Sequence, residues 1–165
     1  MKEFNKIKKG LGPICEEATQ VLIVGTFPSE NSLKNNQYYN NPTNQFWKLL
    51  SDMLRSDLIK IDYDKRIKIL LDHNFGIWDC ISRCKRKTSS DSKIINPSFN
   101  DFSTLKCPQL KIILGNSDKS FNYLKKCQIP KNVKMGKLIS SSRARTIPYN
   151  DKLTNWKEQL KSYIQ

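Results

Sequence analysis

Four consecutive apolar residues, Val21-Leu22-Ile23-Val24, stop at Gly25 and run into Thr26-Phe27-Pro28-Ser29-Glu30-Asn31-Ser32. The run is too short for a buried helix and rich in β-branched side chains, so it predicts a strand hidden on both faces. The turn formers after it predict a loop at the strand's carboxyl end. A strand buried on both faces needs helices above and below it. The rest of the chain supplies them. From Asn44, Phe46, Trp47, Leu49, Leu50, Met53 and Leu54 follow helical spacing, with Phe46 and Trp47 read as core. Ile67, Leu70 and Leu71 repeat the pattern before Asn74, and Phe75–Asp79 reads as a short strand. Leu110–Gly115 is a further strand, with Ser117 as N-cap of a helix that turns Phe121 and Leu124 inward. Lys137-Leu138-Ile139 is the last expected strand, and a closing helix starts near Asn150.

Strands alternating with helices predict one α/β domain over residues 1–165, a mostly parallel sheet covered on both faces. Ligands of such sheets bind beyond the carboxyl ends of the strands. The loops after Gly25, Asp79, Gly115 and Ile139 are therefore expected to face one another.

Length and composition narrow the function classes. A chain of 165 residues can bury a core without disulfide or metal staples. With 38% hydrophobic and 27% charged residues it is neither a disordered tail nor a membrane bundle. It has no apolar run of membrane-spanning length, and its first residues lack a secretory pattern, so a cytoplasmic location is expected. The five cysteines show no C-x-x-C spacing and read as reduced thiols. His73, the single histidine, falls where a helix is predicted to end, a favourable place for a cation. The formal charge is +14, and residues 119–150 carry six lysines and two arginines with no acid. Such one-sidedness favours a nucleic-acid partner over a merely solvated surface. A membrane partner would need a basic amphipathic helix with an aromatic face, and the pattern shows none.

Three segments carry candidate chemistry. In the loop 25–47, glycine and serine let backbone amides approach a ligand, and Tyr38 and Tyr39 offer ring faces on which a base can stack. Asn44 either caps the helix that follows or orients a water and a base carbonyl. The basic, hydroxyl-rich segment from Arg83 to Ser90 suits phosphates or is a solvated turn. Ser140-Ser141-Ser142-Arg143-Ala144-Arg145 either grips consecutive phosphates or links to the last helix. No nucleoside-triphosphate, dinucleotide or zinc-protease motif is present. Glu30, Asp79 and Asp91 are the nearest acids to the expected cleft, too few for a two-metal nuclease.

The order of these segments resembles the uracil-DNA glycosylase superfamily, and most closely its hypoxanthine-DNA glycosylase branch. The likeness rests on Gly25-Thr26-Phe27-Pro28-Ser29 with Ser32, on Tyr38-Tyr39-Asn40-Asn41-Pro42, and on Asn44-Gln45-Phe46-Trp47. It continues through Gly76–Asp79, Asn96-Pro97, Asn100-Asp101-Phe102, the strand ending at Gly115, the serine loop, and Lys152 with Trp156. The resemblance implies a three-layer α/β/α sandwich, a monomer that needs no metal or cofactor and whose partner is DNA with a deaminated base. It implies a monofunctional glycosylase of base excision repair that flips hypoxanthine, or uracil, and hydrolyses its N-glycosidic bond. On that basis Asn44 is the catalytic amide. Gly25, Thr26, Phe27, Pro28, Ser29, Tyr39 and Gly115 line the base pocket, with Tyr39 stacking on the base. Ser140, Ser141, Ser142, Arg143 and Arg145 hold the DNA. The sequence departs from the commonest family pattern in three places. Phe27 stands where many branches have a catalytic Asn or Asp. Leu114-Gly115 replaces an Asn-Gly pair, with Asn116 one step later. The last loop is altered. The first argues against a uracil enzyme of the commonest type, and the other two motivate a rival reading, a catalytically silent nucleic-acid binder of the same fold. A weaker third is a protein whose cleft holds another protein's acidic surface.

Overall fold

A computed structural model of the chain describes residues 6–164. In chain order its elements are β1 (Lys8–Lys9), β2 (Val21–Gly25), α1 (Glu30–Asn35), α2 (Phe46–Leu54), α3 (Tyr63–Asp72), β3 (Phe75–Asp79), β4 (Ile81–Lys85), β5 (Ile95–Phe99), β6 (Ile112–Gly115), α4 (Asp118–Leu124), β7 (Lys134–Lys137) and α5 (Tyr149–Leu160). Val21 to Val24 are fully buried, as a two-faced strand requires. Phe46, Trp47, Leu49 and Leu50 form the buried stripe of α2, and Ser117 caps α4 by accepting from the Ser120 N–H. His73 closes α3, its Nδ1 lying 2.8 Å from the Ile69 carbonyl.

The main sheet has the order β3-β2-β6-β7, and every neighbouring pair is parallel. The chain leaves β2 toward β3 on one side and later returns to β6 on the other. Right-handed crossovers in opposite directions place the connecting helices on opposite faces. This is the expected α/β architecture: α3 packs on β3, α4 on β6 and β7, and α2 on α5. The reversal between β2 and β6 opens a crevice at the strands' carboxyl ends.

Four expectations are corrected. The segment after Gly25 is a loop only to Ser29, because the Ser29 hydroxyl accepts from the Ser32 N–H and starts α1. The last strand is Lys134–Lys137 rather than Lys137–Ile139, and it forms the sheet edge. Exposed lysines there keep a second chain from pairing, so its sequence carries no apolar run. A second, antiparallel sheet, β1-β4-β5, was not foreseen. Its strand β5 contains Pro97 and left-handed Asn96, both poor strand formers, beside a ladder with register shifts. Finally, the basic segment after Ile81 is not one phosphate loop. Arg83 to Lys85 belong to β4, and Arg86 is buried, donating to the Pro28 carbonyl and lying over the Phe27 ring.

Candidate active site

The loops after β2, β6 and β7 converge with the last residue of β3, and residues 89–92 after β4, rather than a loop after β3, complete the wall. They enclose a cavity of about 540 Å³, lined by Gly25 to Ser29, Tyr38, Tyr39, Asn44, Asp79, Asn116 and Ser140 to Ser142. That size suits a single small organic group such as a base.

Two amides on its wall are held by a directional relay. Asn44 Oδ1 accepts from the Phe46 N–H at 3.0 Å and from the Ser141 hydroxyl at 2.8 Å. A backbone N–H can only donate, so the Asn44 atom facing it is oxygen. Asn116 is fixed in the same way, its Oδ1 accepting from the Ser141 N–H at 3.0 Å. Its Nδ2 then donates to Ser141 Oγ at 2.8 Å and to the Tyr39 hydroxyl at 3.2 Å. Asn44 is not the N-cap, which is Gln45 without a side-chain cap bond; one residue earlier, its oxygen makes an Asx-type bond to the Phe46 N–H that turns the chain into α2, while the Nδ2 has no partner among the described residues. The free group is a donor. It suits negative charge growing on a departing base rather than a water held by its proton.

The two tyrosines separate. Tyr38 is buried, donates to the Leu11 and Gly12 carbonyls and meets the Trp47 indole N–H through its own carbonyl, so its ring offers no stacking face. Tyr39 has a left-handed backbone, φ 53°, which costs a residue with a side chain about 1–2 kcal/mol. Parallel stacking on Phe46, with centroids 3.7 Å apart, helps hold it there on the cavity wall. Burial, with the Asp79 carboxyl as a smaller influence, keeps its phenol protonated.

Asp79, in sequence only one of three acids near the cleft, is part of its wall. It is the last residue of β3, directly opposite Gly25, and is 4% exposed. Its Oδ2 is buried without a hydrogen-bond partner. Desolvation, with the Asp91 charge second, pushes its acid up to about 7, against the pull of the Gly25 N–H and Arg86. A Cβ on Gly25 would lie 2.6 Å from Asp79 Oδ1 and 3.2 Å from the Tyr39 hydroxyl, so only glycine leaves both groups in place. Lys152 braces the opposite wall. It is 1% exposed and donates to Gln45 Oε1 at 3.0 Å and to the Ser142 carbonyl at 2.9 Å. Burial, then the like charges of Arg143 and Arg145, lowers its affinity for a proton.

Of the residues expected at the site, Gly25, Thr26, Phe27, Pro28, Ser29, Tyr39, Asn44, Ser140, Ser141 and Ser142 line the cavity. Gly115 does not. It is packed against α4, where a Cβ would meet the Phe121 nitrogen at 2.7 Å. Leu114 lies in the core, and Asn116, two residues on, brings an amide to the cavity wall. Arg143 and Arg145 are exposed outside the cavity. Arg145 lines an adjoining groove with Ser140, Ser142, Lys119 and Lys137. Among the described residues no three His, Cys, Asp or Glu side chains gather as a metal site would need, and no helix is long and apolar enough to cross a membrane.

Comparison with known families agrees with this geometry. The description "Uracil DNA glycosylase superfamily" matches residues 13–161. The chain belongs to the uracil DNA glycosylase superfamily. Within this superfamily it is 35% identical over 159 residues to a hypoxanthine DNA glycosylase of Methanosarcina barkeri, covering 93% of this chain and 98% of that protein. It is 39% identical over 119 residues to a hypoxanthine DNA glycosylase of Methanosarcina acetivorans, covering 71% and 75%. A solution NMR structure of a candidate uracil DNA glycosylase from Methanosarcina acetivorans superposes with a TM-score of 0.82 at 32% identity, over 96% of this chain and 99% of that one. The superfamily's α/β fold, inferred from sequence, is therefore the fold of this chain.

Proposed function

We propose that this chain is a monofunctional DNA glycosylase that excises hypoxanthine, and secondarily uracil, as the first step of base excision repair. The Asn44 amide carries the reading: its oxygen is fixed by Phe46 and Ser141, and its NH₂ is left for a ligand at the cavity wall. Two relatives named for hypoxanthine at 35% and 39% identity support the substrate.

The chemistry follows from the groups present. Unstacking a mispaired nucleotide costs a few kcal/mol, and the groove bearing Arg145, Lys119 and Lys137 supplies cationic contacts to the DNA backbone. The extruded base enters the cavity beside Tyr39. The C1′–N bond breaks with its electron pair moving to the base, and a donor already oriented there stabilises that charge without reorganising. Asn44 Nδ2 is that donor. Water then adds to the sugar at C1′ and loses a proton, the base gains one, and an abasic site remains. No step calls on a metal or cofactor. Five free thiols suit a reducing cytoplasm.

The test uses purified protein with labelled single- and double-stranded oligonucleotides carrying hypoxanthine, uracil or xanthine, followed by alkali. Strand scission at hypoxanthine, lost in Asn44→Ala, is expected. Tight, salt-sensitive binding with no scission at any lesion would instead establish a silent binder.

A further inference from the structure

The relay leaves one unexplained group in the cavity. Asn44 Oδ1 and both ends of the Asn116 amide are already engaged. Among the described residues, Asp79 Oδ2 is the only buried side-chain oxygen without a partner, and Asp79 lines the cavity. A buried oxygen without a partner costs on the order of 1–3 kcal/mol, so its persistence calls for an occupant.

We propose that Asp79 reads the flipped base, its two carboxyl oxygens pairing with the lactam edge of hypoxanthine, N1–H and C6=O. This rests on the hypoxanthine reading above. A lactam presents a donor beside an acceptor. A protonated carboxyl presents the complement, one O–H and one C=O, and the two close a ring of paired hydrogen bonds. Uracil presents the same donor–acceptor edge, so this pairing does not by itself separate the two bases. The site favours the protonated form. Asp91 faces Asp79 as a like charge, the phenols of Tyr38 and Tyr39 and the adjacent Cys80 thiol are held neutral by burial or hydrogen bonding, and only the Gly25 N–H and Arg86 oppose. Arg86 is drawn away to the Pro28 carbonyl and lies 3.9 Å from Asp91 and 3.8 Å from Glu30.

The test is a cycle in kcat/KM between base and residue. Oligonucleotides carry either hypoxanthine or unsubstituted purine, which lacks the lactam, and the enzyme carries either Asp79 or Asp79→Leu. In the wild type the loss of the lactam is expected to cost at least about tenfold more than in Asp79→Leu, the differing leaving-group abilities cancelling. Asp79→Asn keeps a donor and an acceptor but cannot titrate. Its kcat/KM on hypoxanthine is expected to stay flat where the wild type falls about tenfold between about pH 6 and about pH 8. If Asp79→Leu does not fold, the Asp79→Asn profile decides. A wild type that excises hypoxanthine with no coupling in the cycle, or with the same profile as Asp79→Asn, overturns this inference alone. A wild type that excises no base overturns it together with the hypoxanthine reading.

Discussion

The Ser141 hydroxyl donates to Asn44 Oδ1 across 2.8 Å, tying the loop after β7 to the residue that opens α2. The same serine accepts from Asn116 Nδ2 and donates its N–H to Asn116 Oδ1. One buried serine thus joins both cavity amides. Gln45 completes the junction by donating its N–H to the Ser141 carbonyl at 2.9 Å.

Asn44→Ala removes the free amide while leaving the loop clamps of Lys152 and Gln45 in place. Single-turnover excision of hypoxanthine is expected to slow by about a hundredfold or more, as for other lost donors to a developing anion. Affinity for lesion DNA is expected to change less than about threefold, since the phosphate contacts remain. Full activity in this variant would remove Asn44 from the chemistry.

Ser141→Ala leaves both amides in the cavity, each still held by one backbone N–H, but removes the hydroxyl that joins them. Stability is expected to fall by about 1–2 kcal/mol, because Asn116 Nδ2 keeps only its 3.2 Å contact to Tyr39 and Asn44 Oδ1 only the Phe46 N–H. Excision slows in kcat rather than KM. Chemical denaturation and steady-state kinetics on the same preparation check this, and a change in KM alone would contradict it.

Arg143→Ala and Arg145→Ala act outside the cavity on exposed cations. Each is expected to weaken binding to undamaged DNA regardless of sequence and to reduce the salt slope by about one where the arginine meets a phosphate. Titrations at several salt concentrations measure the slope. An unchanged slope in both variants would place the DNA path elsewhere.

Asp79 makes stability depend on pH. Its carboxyl holds a proton up to about pH 7 in the folded chain, against an ordinary value of 3.8 when unfolded. Between these values the folded state binds more protons, so the stabilising contribution is full below the unfolded value and is lost as pH rises through about 7. On the order of a few kcal/mol is at stake for so buried a group. Thermal melts should show the wild type losing stability across this window relative to Asp79→Asn. Parallel pH curves for the two proteins would show that the carboxyl is ionised throughout.

Local pattern was enough for β2, α2, α4, α5 and the convergence of loops at one sheet end, because burial of one face imposes a period that a short window contains. The length of β2 and the spacing of Phe46, Trp47, Leu49 and Leu50 report only their own burial. The lysine-bearing edge strand β7 and the bulged strand β5 escaped for the converse reason: neither buries a continuous face. Tyr38 and Tyr39 are adjacent in sequence and equivalent in chemistry. Only the left-handed turn at Tyr39 sends one ring to the core and the other to the cavity wall.

By itself the sequence determined the α/β class and the cavity's place in the chain, since these follow from hydrophobic period and from loops at strand ends, and its family resemblance pointed to ten of the lining residues. Which atoms remain free there was decided by tertiary structure alone. Ser141 lies 97 residues from Asn44, and Asn116 lies 77 from Tyr39. Asp79 lies buried opposite Gly25, in a different strand from the one that carries the first loop. Hydrogen-bond direction and desolvation depend on such distant neighbours, and no local window contains them.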